Sequence, residues 1–125
     1  MNKSQQHPAP DRKRVLTKAL LKAAALIGIN DAELAQITGT SPSSISRMHS
    51  GHRTLSEGTK EWELSALLIR LYRSLDSIVA GDQNSLRSWM SSYNSELEAT
   101  PREHIKSVLG LVETVDYVDA NRALI

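Results

Sequence analysis

The chain has 125 residues, a formal net charge of +1 and no cysteine. That length holds one or two very small domains and can bury a core, so no disulfide or metal is required for stability. The missing cysteine removes thiol nucleophiles and thiolate metal sites and fits a reducing compartment. Residues 1–10 are polar and lack the apolar segment of a secretory signal, and no apolar run approaches the roughly 20 residues that span a bilayer. A soluble, cytoplasmic protein with no membrane association is the expectation.

The small net charge conceals a split. Residues 1–53 carry eight Lys or Arg against three Asp or Glu, a net of +5, and residues 54–125 carry seven against eleven, a net of −4. The two halves therefore suit different partners, and the basic one suits a polyanion.

Residues 1–10 read as a disordered tail. A first helix follows from Asp11, with Val15, Leu16, Ala19, Leu20, Ala23, Leu26 and Ile27 at helical spacing and Gly28 at its end. Its other face carries Lys13, Arg14, Lys18 and Lys22, which a solvated surface explains as well. Asn30 and Glu33 have capping-box spacing and open a second helix, broken by Gly39. Ser41 caps a third, with Pro42 at its first position, and Gly51 closes it. A long helix over residues 59–79 bears an apolar stripe from Leu64 to Val79, which fits a core or a dimer seam. Beyond Gly81, Leu86, Trp89, Met90 and Tyr93 keep helical spacing and, taken alone, fit a core better than an interface. Residues 94–99 read as a loop. Thr100, Pro101 and Glu103 start a further helix with Ile105, Val108 and Leu109 on its apolar side. Gly110 punctuates it, and a last helix holds Leu111, Val112, Val115 and Val118. Residues of strand-forming type never alternate over a useful length, so the fold class is all-α. The units expected are a tail (1–10), a helix-turn-helix bundle (11–58), a long linking or dimerisation helix (59–80) and a small helical C-terminal domain (81–125).

Residues 34–51 resemble the helix-turn-helix of Xre- and Cro-type regulators through Ala35, Gly39 and Ile45. Ala35 permits close crossing of two helices, Gly39 supplies a left-handed turn residue, and Ile45 and Met48 pack inward on Leu34 and Ile37. This leaves Ser41, Ser43, Ser44, Ser46 and Arg47 facing out, a slim surface for a major groove about 12 Å wide. Arg47 has the geometry for a bidentate contact to guanine, and His49, His52 and Arg53 are placed to meet the flanking backbone. A structural helical hairpin with a serine-rich surface is the bland alternative.

Catalytic constellations are not found. There is no Gly-x-Ser-x-Gly elbow and no phosphate-binding glycine loop. His49 and His52 are a possible metal pair but have no third ligand nearby, so no metal or other cofactor is expected. His104 reads as an isolated, solvated side chain, and Glu61 and Glu63 point to different sides of a helix.

The C-terminal half carries Trp89-Met90, Asn94, Thr100-Pro101 through Ile105, Gly110-Leu111 and Val115 to Val118. In that order, behind the helix-turn-helix and a long helix, they resemble the toxin-binding domain of the MbcA/ParS/Xre antitoxin family. Met90, Ser95 and Ala99 depart from the leucine, proline and glycine common there. The resemblance covers residues 12–125. It implies a non-enzymatic antitoxin of a type II toxin-antitoxin system, a RES-domain toxin that consumes or transfers from NAD, and repression of the shared operon. It also implies toxin contacts at Trp89, Asn94 and Tyr117 and at the chain end, where Asn121, Arg122, Leu124 and Ile125 would lie near the toxin's NAD pocket. Homodimerisation is the ordinary state of a helix-turn-helix, with operator DNA and a higher-order toxin complex as further partners. The rival reading is a stand-alone regulator whose C-terminal half only dimerises or senses a ligand.

Overall fold

A computed structural model describes residues 11–122; the side chain of Arg122 and the whole of Leu124 and Ile125 lie outside the described part. The described residues form seven helices and no strand: α1 (Arg12–Ile27), α2 (Asp31–Thr38), α3 (Pro42–His49), α4 (Lys60–Ile78), α5 (Gln83–Ser91), α6 (Pro101–His104) and α7 (Val108–Arg122).

Local chemistry sets most of the boundaries. Asp11 accepts the N–H groups of Lys13 and Arg14 at the start of α1, and Gly28 ends that helix at φ 90°. Asn30 and Glu33 form the expected capping box of α2. Thr59 caps α4 and Asp82 caps α5. A side-chain oxygen at each start meets donors the helix itself leaves unpaired.

α4 is the centre of the molecule. Leu68, Leu71 and Leu75 are fully buried, and the helix packs on α7, α1 and α2. Of the rest of its apolar stripe, Leu64, Leu67, Tyr72, Ile78 and Val79 are half-buried against the same core. The other anchors are Leu20 and Ile27 of α1, Leu34 of α2, Ile45 of α3, Leu86 and Met90 of α5, and Leu111 and Val118 of α7. Two hydrogen bonds fasten segments that periodicity does not reveal. Thr17 Oγ1 accepts the buried Leu55 N–H at 2.9 Å, holding the loop after α3. Arg87 of α5 donates to the carbonyls of Ala25 and Leu26, capping the end of α1.

The structure departs from the sequence expectation in the last third. α6 is a single turn, its cap residue Thr100 makes no side-chain cap bond, and Glu103 turns to Lys106 instead. Gly110 does not end a helix but lies in the first turn of α7. Ser107 Oγ accepts the Gly110 N–H at 3.0 Å, as a helix cap does. A Cβ on Gly110 would stand 1.8 Å from the His104 carbonyl oxygen. The glycine is there because two helix ends meet backbone to backbone. Of the expected apolar side, Ile105 is buried, whereas Val108 and Leu109 are exposed; Tyr93 and Val15 are exposed as well.

Candidate nucleic-acid interface and C-terminal segment

The pair α2 and α3 is built as their residues require. Ala35, Ile37, Ile45 and Met48 are buried, and Gly39 turns the chain at φ 71°. Pro42 sits in the first turn of α3, and Ser41 Oγ accepts the Ser44 N–H at 3.2 Å. α3 therefore presents a fixed outer face on an apolar base.

Ser43, Ser46 and Arg47 lie on that face, with Ser41 half-buried at its edge. Arg47 has no acidic partner among the described residues. Ser44 must be removed from the outward set: it is 8% exposed and accepts the Ser41 hydroxyl proton at 2.9 Å. It follows Ile45 toward the core because the helix turn places 44, 45 and 48 on one side. Arg53 is half-buried and partnered. Its Nη2 donates to Glu61 Oε1 at 2.8 Å, so the guanidinium is tied to the start of α4. His49 remains exposed, but its Nε2 is 3.1 Å from Asp31 Oδ1, linking α3 to the first turn of α2. His52 Nδ1 lies 2.9 Å from Ser50 Oγ, so the two imidazoles serve separate contacts.

A recess of about 420 Å³ opens between α1 and the end of α3, with Arg14, Lys18, His49 and Arg53 in its lining. Periodicity put Arg14 and Lys18 on a solvated face; the fold brings that face beside α3. A sequence offers no signal for this, since the separation exceeds any helical repeat.

In the C-terminal segment, Trp89 and Tyr117 are half-buried and stack, with ring centroids 6.3 Å apart and planes 15° from parallel. Asn94 Oδ1 accepts the N–H groups of Glu96 and Leu97, and its backbone pairs with Ala99, closing the loop 94–99. Asn121 Nδ2 donates to the Tyr117 carbonyl. His104, expected to be solvated, is part-buried with Nε2 2.8 Å from Glu113 Oε2. Asp119 accepts from Arg70 Nε and Ser74 Oγ, fastening α7 to α4.

The two halves are joined by charge. Arg102 of α6 donates to both carboxylate oxygens of Glu33, and Lys106 Nζ lies 3.4 Å from one of them. These bonds, led by Arg102, hold the Glu33 carboxyl down at about 2. Glu33 is thus both a cap of α2 and the receptor for α6.

No helix of the described residues is long and apolar enough to cross a membrane. None of the curated proteins compared with the chain matches it significantly. Two family descriptions do. Residues 6–70 match the antitoxin Xre-like helix-turn-helix domain, and residues 74–123 match the antitoxin Xre/MbcA/ParS C-terminal toxin-binding domain.

Proposed function

This chain belongs to the antitoxins with an Xre-like helix-turn-helix, and on that premise we propose that it silences a RES-domain toxin and represses their shared operon. The observation that carries the reading is the union in one chain of the helix-turn-helix and a toxin-binding domain. Toxins of the RES type consume or transfer from NAD. An antitoxin needs only to obstruct such a site, so the chain acts by binding and performs no catalysis. It works in the cytoplasm, where its operator is.

α3 enters the major groove, with Arg47 reading a base edge, Ser43 and Ser46 donating to phosphates or bases, and Ser41 at the edge of the same face. His49 flanks them, and Arg14 and Lys18 of the adjoining recess meet the backbone. A homodimer reads two half-sites and joins the toxin in a higher-order complex. On the toxin side, the Trp89–Tyr117 stack and Asn121 bring the chain end, with Arg122, Leu124 and Ile125, to the toxin's NAD pocket. Arg122 is chemically suited to a site evolved for phosphates.

Two measurements test the reading. Co-expression with the product of the adjoining gene should restore growth that this product alone arrests. The purified protein should shift its own promoter fragment in a gel, and the shift should weaken steeply with salt. Arrest that persists at matched protein levels would overturn the antitoxin role, and an unshifted promoter would overturn the repressor role.

A further inference from the structure

α7 is apolar on two sides at once. Leu111, Val115 and Val118 are buried and face the rest of the core, which satisfies the fold. Val108, Leu109 and Val112 are 61, 68 and 37% exposed. Spaced i, i+1 and i+4, they form one patch across the first two turns. They do not complete the core, and three adjoining aliphatic side chains in water forgo the burial that otherwise stabilises this helix. Four of the five exposed large hydrophobic residues of the described chain, these three and Tyr93, fall within residues 74–123.

The surroundings are those of a docking site. Ser107, Glu113 and Asp116 are exposed around the patch, giving an apolar centre with a polar and acidic rim. Its base is rigid: Ser107 caps the helix, Gly110 is wedged on the His104 carbonyl, and His104 holds Glu113. A side chain on such a base loses little freedom when it is covered. The patch lies within the residues that match a toxin-binding domain, which favours the toxin over a second copy of the chain as its occupant.

We propose that Val108, Leu109 and Val112 form an apolar anchor of the toxin interface, seated in an apolar groove of the toxin. The proposal rests on the reading that residues 74–123 bind a toxin, and it adds a contact distinct from the chain end at 121–125.

The test uses the full-length protein and, as probe, the purified product of the adjoining gene. Leu109→Glu, and the milder Leu109→Gln, should weaken binding in a titration at least tenfold. Melting temperature and promoter shift should stay unchanged, since Leu109 supports no core contact. Binding by both variants within twofold of wild type would overturn the anchor while leaving the antitoxin reading intact. Absence of binding by the wild-type chain would instead overturn that reading and the anchor with it. Light scattering of the antitoxin alone provides the remaining arm. If Leu109→Glu halves the mass and spares toxin affinity, a second copy covers the patch and the proposal is wrong.

Discussion

Arg102 donates from Nε and Nη2 to the two carboxylate oxygens of Glu33, at 2.9 and 2.6 Å, across 69 positions of sequence. A planar guanidinium matches a carboxylate in this two-bonded form, so the pair fixes direction as well as distance. It binds α6 to the N-terminus of α2, the helix on which α3 rests.

A pH dependence follows. The Glu33 carboxyl is lowered from 4.5 to about 2 in the fold. A depressed carboxyl contributes stability that is complete above its unfolded value and lost as pH falls toward its folded one. The window is therefore about pH 5 to 2. Arg102 is 33% exposed, and water screens part of the pair, leaving a contribution of about 1–2 kcal/mol. Urea unfolding of wild type and Glu33→Gln should show a gap that closes as pH falls through this window. A gap that stays constant with pH would mean that the loss is one of capping geometry alone.

Gly110→Ala should disrupt the C-terminal domain severely. Its Cβ would meet two backbone atoms of His104, which have no rotamer into which to retreat. Overpacking of this kind costs about 1–3 kcal/mol or more, and backbone clashes lie at the upper end. Gly58→Ala is the comparison: it sits at positive φ but has nothing within 4 Å of the added atom. Thermal melts of the two should differ clearly, with Gly110→Ala the lower.

The outer face of α3 separates by burial. Arg47→Ala is expected to cost about 1–3 kcal/mol at one operator position and to relax specificity there. Equal losses on specific and nonspecific DNA would make Arg47 a phosphate contact. Ser44→Ala should leave specificity unchanged and lower stability instead, by about 1 kcal/mol, because it removes a hydrogen bond beside the cap of α3.

The chain end has to be cut behind Asp119 if binding is to be separated from folding. Removing residues 119–125 also removes Asp119 and its bonds to Arg70 and Ser74, so the loss would mix folding with binding. Removing residues 122–125 spares them. We expect that truncation to keep its melting temperature and promoter shift but to protect less well against co-expressed toxin in a growth assay. Full protection at matched protein levels would place the toxin contact elsewhere, with the Leu109 patch the next candidate.

What the sequence determined by itself was local. The all-α class, the caps at Asn30 and Ser41, the turn at Gly39 and the inward Ala35, Ile37, Ile45 and Met48 follow from bonds and periodicities that span three or four residues. Those forces act within one helical turn, and a reader of the chain can see both partners at once. What only the tertiary structure decided joins distant positions. The Glu33–Arg102 pair, the Arg53–Glu61 pair that ties the loop after α3 to α4, and the Arg87 cap on α1 depend on how helices cross. Gly110 shows the limit most plainly. In sequence a glycine between two apolar runs reads as a stop, because its conformational freedom is the only property visible there. In the fold its missing Cβ is what matters, since α7 can begin against the end of α6 only where no side chain intervenes. The exposure of Val108 and Leu109 comes from the same junction: α7 starts two residues before Gly110, and its buried face is the one carrying Leu111, Val115 and Val118.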